Sequence, residues 1–128
     1  MGGGGDAPAG ARELGSRRRA QPAPPAVVWS ALARPRAPGA RPWLELLPDE
    51  VEPLVVRSVE PVLVVWSSLW PDRPQEEIHF ELAPDGSGTM LRWVLLSADV
   101  PPTDSLLGHM RHRLNVLVNE RLRLSFGQ

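Results

Sequence analysis

The stretch from Glu77 to Ser97, EIHFELAPDGSGTMLRWVLLS, limits the possible folds more than any other part of the chain. Ile78, Phe80 and Leu82 alternate with His79 and Glu81; further on, Leu91, Trp93 and Leu95 share one face and Arg92 takes the other. This period of two belongs to a sheet with one buried face. Between the two runs, Pro84-Asp85-Gly86-Ser87-Gly88 supplies the turn, since Gly accepts positive φ and Pro ends a ladder. A lone hairpin is marginal in water, so its apolar face needs a cover. The only long amphipathic segment runs from about Asp104 to Ser125. At roughly 100° per residue, its Leu106, Leu107, Met110, Leu114, Leu117 and Val118 form one stripe. His109, His112, Asn115, Asn119 and Arg123 fall opposite, whereas Arg121 lands in the middle of the stripe.

Other elements assemble around this pair. Pro24 or Pro25 can open a helix, where a missing N–H costs nothing. Val27, Val28, Trp29, Ala31 and Leu32 follow until Pro35, giving about two turns too short to stand alone. Trp29 is the expected anchor to the sheet. Arg34 to Pro42 is a Pro/Gly-rich connection, and Trp43 to Leu47 is a short apolar piece of ambiguous state. Val51–Val59 reads as a strand broken by Pro53, hence an edge. Val62–Trp70 is the strongest β-former, rich in branched and aromatic residues. Residues 1–23 lack periodicity and hold one large apolar residue, Leu14, so the sequence predicts a disordered Gly/Arg/Pro-rich tail followed by one folded domain over 24–128. A short helix, several antiparallel strands and a long last helix make the class α+β.

Cysteine is absent, which excludes disulfides, thiolate catalysis and Cys-based metal sites. All fourteen basic residues are Arg. Residues 1–44 carry seven Arg against Asp6 and Glu13, net +5; residues 45–128 carry seven Arg against thirteen acids, net −6. An acidic folded part argues against a nucleic-acid surface. Arg17-Arg18-Arg19 reads as a solvated arm. No apolar run approaches the ~18 residues of a membrane span. A secretory signal fits poorly, because the apolar run 26–33 after the arginines is short and crowded by Pro22, Pro24 and Pro25. The default location is the cytoplasm.

Three pieces together resemble a known superfamily: APPAVVWSAL at 23–32, FELAPDGSGTMLRW at 80–93, and the terminal amphipathic helix. In order and spacing they are similar to the START-like (SRPBCC) proteins, closest to the polyketide cyclase/heat-shock ATPase activator-like branch. The resemblance implies a helix-grip fold, a curved antiparallel sheet around a long C-terminal helix, with a cavity between them for an apolar small molecule. It implies no universal catalytic residue. The chain departs from the pattern twice. Arg17–Ala23 lacks the alternation of a first strand, so that strand is expected to be degenerate or missing. Pro38, Gly39 and Pro42 break the region where a second short helix belongs.

The expected cavity residues are Trp66, Trp93, Leu91, Met110, Leu114 and Arg121. Aromatics and a flexible Met suit the wall of a greasy pocket, although ordinary core packing uses them equally. A guanidinium on a buried stripe must find a partner: a carboxylate such as Glu45, Glu60 or Glu81, a ligand oxygen, or water reached by snorkelling. His109 and His112 are spaced i, i+3 but lie opposite the stripe without further ligands, so no metal is expected. His79 is expected on the outer face beside Glu81 and Arg92. No catalytic set, cofactor or phosphate loop is apparent. The expected function is binding of a small hydrophobic ligand, lipid-like or aromatic. The rivals are a polyketide cyclase/dehydratase-type enzyme and a co-chaperone-like interaction module, with a protein partner or homodimer possible.

Overall fold

The structure, a computed structural model, describes residues 10–127. Five strands form one antiparallel sheet: β1 (Arg12–Gln21), β2 (Val55–Val59), β3 (Leu63–Ser67), β4 (Glu76–Asp85) and β5 (Gly88–Ser97), in spatial order β1-β5-β4-β3-β2. Helix α1 (Pro25–Ala33) lies between β1 and β2 in the chain. The C-terminal helix comprises α2 (Asp104–Leu114), a π-helical stretch (Asn115–Leu122) and a last turn, α3 (Arg123–Ser125).

The β4–β5 hairpin forms as its alternation predicts, turning at Gly86 with φ +59°. Pairing Phe80 with Trp93 and Leu82 with Leu91 aligns the apolar residues of the two strands. The C-terminal helix covers that face with Met110, Leu114, Leu117, Val118 and Leu122, all fully buried. Thr103 caps its start, accepting from the Leu106 N–H at 3.2 Å.

At the core's centre Trp66 stacks on Trp43, centroids 6.0 Å apart, and meets Phe80 edge-on at 4.7 Å. Helix α1 is pinned to β3 by two indoles: Trp29 Nε1 donates to the Leu63 carbonyl at 2.9 Å, and Trp66 Nε1 to the Leu32 carbonyl at 3.0 Å. The anchor expected of Trp29 is thus a hydrogen bond as well as a packed ring.

Two expectations are corrected. Residues 12–21 are not disordered but form β1, and the first strand is present, pairing with β5 from Arg12↔Ser97 to Gln21↔Thr89 across a bulge at Glu13/Gly15. Only Leu14 and Gln21 of its ten residues are buried. Backbone pairing makes this strand, which is why no apolar alternation announced it. Residues 1–9 of the expected tail lie outside the described residues. His79 is buried rather than on an open outer face, at 3% exposure, with Nε2 3.0 Å from Glu77 Oε1. The neighbouring Arg92–Glu81 pair forms as expected, at 3.0 Å.

No helix forms between residues 34 and 54. Arginines tie this stretch down instead. Arg36 donates to the Leu44 carbonyl at 2.8 Å, Arg41 to the Ser125 carbonyl at 2.7 Å, and Arg113 to the Glu45 carbonyl at 3.0 Å. Irregular backbone has to place its polar groups somewhere, and these guanidiniums accept the task.

Candidate functional site

Helix α1 meets the core with Val28, Trp29 and Leu32, leaving its opposite side to Val27 and small residues. Ala26, Ser30 and Ala31 face an open hollow of about 660 Å³, bordered by the 35–43 segment and by Phe126 past the last helical turn. Pro38, Gly39 and Ala40 form the far wall and Trp43 adds an aromatic side. The same residues that forbid a second helix therefore hold the wall away from α1.

Few polar groups reach this hollow. Arg34 lies over the Trp29 ring, 5.6 Å from its centroid. Arg41 is fixed to the Ser125 carbonyl. Trp43 is 3% exposed, and its indole N–H has no hydrogen-bond partner among the described residues. A buried donor without an acceptor is costly, and this one belongs to a side chain that lines the hollow.

The six residues expected to line a cavity lie elsewhere. Trp66, Trp93, Leu91, Met110 and Leu114 are at most 1% exposed and belong to the packed core; none lines the hollow. Trp93 spends its N–H on Asn115 Oδ1 at 3.1 Å. Arg121 does not enter the core: its side chain is 44% exposed and pairs with Glu45, one of the partners foreseen. The π-helical stretch explains this. Bonding to i+5 adds a residue per turn, so the 100° count falls out of phase and Leu122 takes the buried place.

The buried guanidinium belongs to Arg113. Its Nε and Nη2 meet Glu50 Oε2 and Oε1 at 2.7 and 2.9 Å, with the two side chains 8% and 0% exposed. Hydrogen bonding to Glu50 holds the Arg113 pKa above its ordinary value, against the pull of desolvation. Sequence reasoning missed this residue, although Arg113 stands three after Met110 and four before Leu117, on the flank of the stripe. Asp49, Glu50 and His109 bring three ligand atoms within 4.8 Å of one another. Both Glu50 oxygens already serve Arg113 and the Leu47 N–H, so a cation would have to displace a guanidinium.

No protein-family model matches the chain, and no curated protein does. Solved structures do match. CalU16 from Micromonospora echinospora superposes with a TM-score of 0.64 at 19% identity, over 85% of this chain and 71% of that one. The Aha1 dimer from Colwellia psychrerythraea gives 0.60 at 15% identity, over 86% and 96%. Ara h 8.0201 gives 0.61 at 10% identity, over 93% and 100%. The chain is a helix-grip protein, an antiparallel sheet closed by a long C-terminal helix. That is the fold of the START-like (SRPBCC) proteins whose motifs its sequence resembles.

Proposed function

We propose that the protein binds a small hydrophobic molecule in the hollow between α1, the 35–43 segment and Phe126. One observation carries the reading: a largely apolar space of about 660 Å³ lined by Trp43, whose buried indole N–H has no partner among the described residues. Small-molecule sites span roughly 300–1,000 Å³ and combine apolar walls with a few placed polar groups. The guest this suits is flat or chain-like, with one acceptor oxygen for Trp43 and an anionic or carbonyl end near Arg34. Trp66 backs the site through its stack on Trp43, while Trp93, Leu91, Met110 and Leu114 form the rigid body behind it. Binding is favoured over cyclase-type chemistry because no histidine or carboxylate, the commonest proton-transfer groups, is among the described lining residues.

The test is uptake of a neutral naphthylamine probe, together with native mass spectrometry of gently purified protein. Wild type should take up the probe saturably and Ala31→Trp, which fills the hollow, should not, with both equally folded by circular dichroism. Equal uptake by the two proteins would remove the hollow from consideration.

A second reading, association with another copy of this chain, has an observation of its own. Edge strand β2 and its flanks expose Leu54, Val56, Val59 and Val62 at 70, 50, 53 and 49%. Unpaired ladder groups beside apolar side chains invite a further strand. Sedimentation velocity should then show a dimer that Val56→Lys converts to monomer; a monomeric wild type at high concentration rejects it.

A further inference from the structure

We propose that the groove between β1 and the C-terminal helix is a second binding site, separate from the apolar hollow, for a phosphate group carrying an O–H. Strand register sets it up. Arg17 lies beside Trp93 and Phe80, and Arg19 beside Leu91 and Leu82, so both arginines stand on the helix-facing side of the sheet. Their neighbours on that side are fully buried, yet Arg17 and Arg19 are exposed.

The helix reaches β1 at two places. Arg111 donates from Nε and Nη2 to the Leu14 carbonyl, at 3.0 and 2.5 Å. Near the other end, Arg123 donates to the Ala20 carbonyl and Gln21 to the Val118 carbonyl, each at 3.2 Å. Gly15 makes the first contact possible, since a Cβ there would sit 2.6 Å from Arg111 Nε. Between these attachments lies a polar groove of about 430 Å³. Arg17, Arg18 and Arg19 line it from the strand; His112, Asn115 and Asn119 line it from the helix, with Glu120 beside them. Among the described residues the three arginines have no ion pair or side-chain hydrogen bond.

The helix side supplies the independent sign of a ligand. Asn119 is 5% exposed, and its Oδ1 has no partner among the described residues. Its Nδ2 donates to Asn115 Oδ1 at 3.0 Å, an oxygen that also accepts from Trp93 Nε1. That chain fixes the amide: turned over, Asn119 would set oxygen against oxygen. The free oxygen is therefore an acceptor waiting for a donor. Both asparagines sit on the π-helical stretch, a local widening of the helix that is frequent at functional sites.

Guanidiniums recognise phosphate oxygens, often in a bidentate manner. The unpartnered Asn119 acceptor asks for an O–H, as does Glu120. Hydrogen phosphate, or a phosphomonoester bearing its own hydroxyl, offers both; sulfate at neutral pH has no proton to give.

Titration of the full chain with inorganic phosphate, sulfate and glycerol 3-phosphate, followed by calorimetry and amide NMR, tests the assignment. Saturable binding of phosphate and glycerol 3-phosphate is expected, with amide shifts at residues 15–19 and 112–120. Sulfate should bind at least about tenfold more weakly, the scale of one charge-assisted hydrogen bond. Arg17→Gln/Arg19→Gln should lower phosphate affinity about tenfold or more, and Arg12→Gln should leave it unchanged. Vesicles containing phosphatidic acid identify the source of the group: recruitment that depends on Arg17 and Arg19 means a lipid headgroup, and its absence beside tight glycerol 3-phosphate binding means a soluble molecule. No saturable phosphate binding, or sulfate binding equal to phosphate and indifferent to the double substitution, overturns the proposal. Uptake of the neutral probe should survive in Arg17→Gln/Arg19→Gln, so the two sites fail or stand separately.

Discussion

Removing Glu50 should be the most damaging single change near the apolar hollow. Its carboxylate accepts two hydrogen bonds from Arg113 and one from the Leu47 N–H, and its side chain is fully buried. Glu50→Ala leaves the Arg113 guanidinium, only 8% exposed, with the Glu45 carbonyl as its remaining partner. Stripping one partner from a buried pair costs about 3–5 kcal/mol. For a chain of this size that lowers the melting temperature by about 10–20 °C. Because Arg113 and Glu50 tie residues 45–50 to the terminal helix, the Trp43 wall should loosen as well and probe uptake should weaken. Arg121→Ala is the control: its pair with Glu45 is exposed on both sides, and such pairs contribute about 0–1 kcal/mol. Glu50→Leu combined with Arg113→Met should recover most of the loss, since it removes both desolvated charges. Thermal and urea unfolding of the four proteins measures the coupling. A Glu50→Ala midpoint within a few degrees of wild type would show that the guanidinium finds water, and that the helix and the 43–52 segment are not held by this pair.

Gly88→Ala should destabilise by about 1–3 kcal/mol in urea. A Cβ there lies 2.3 Å from the Gln21 carbonyl oxygen, and neither strand's backbone can swing aside; a neutral result would mean that β1 and β5 separate freely at that end. Glu76, 1% exposed, has its pKa raised above 4.5, first by burial, with Arg73 opposing. A carboxyl that holds its proton more tightly when folded contributes stability fully below its unfolded pKa and loses it as pH rises through the folded value. Glu76→Gln cannot ionise and should gain on wild type as pH rises above the ordinary carboxylate range; a stability difference that does not change with pH refutes the burial argument.

The sequence announces elements that bury a regular apolar face and stays silent on those that do not. The hairpin and the terminal helix belong to the first kind, because Ile78, Phe80, Leu91 and Trp93 repeat every second residue and Met110, Leu114 and Leu117 every third or fourth. Strand β1 belongs to the second. Ten residues with two buried side chains give no period, and its arginines suit an edge that must resist pairing with other chains. The same RRR run that reads as a loose arm is thus a strand facing a helix. Arg121 and Arg113 exchange roles for a different reason. A count at 100° per residue assumes an α-helix throughout, and the π-helical stretch breaks that assumption after Leu114.

The hollow carries a fainter sequence signal than the sheet or the helix, and its location shows why. Ala26, Ala31, Pro38 and Gly39 carry no signal of their own, since small residues suit a linker as well as an open wall. What makes them a site is the pair of aromatics that also line it, Trp43 and Phe126, which are distant in sequence and come to one hollow where Arg41 donates to the Ser125 carbonyl. A cavity is made by side chains that stop short, and periodicity reports only those that reach. Candidate sites drawn from the largest apolar residues therefore drift toward the packed core, where Trp66 and Trp93 lie fully buried. In this helix-grip fold the space opens beside the 35–43 segment, where Pro38, Gly39 and Pro42 keep the chain from forming a second helix, so the irregular connection and the candidate hollow share one cause.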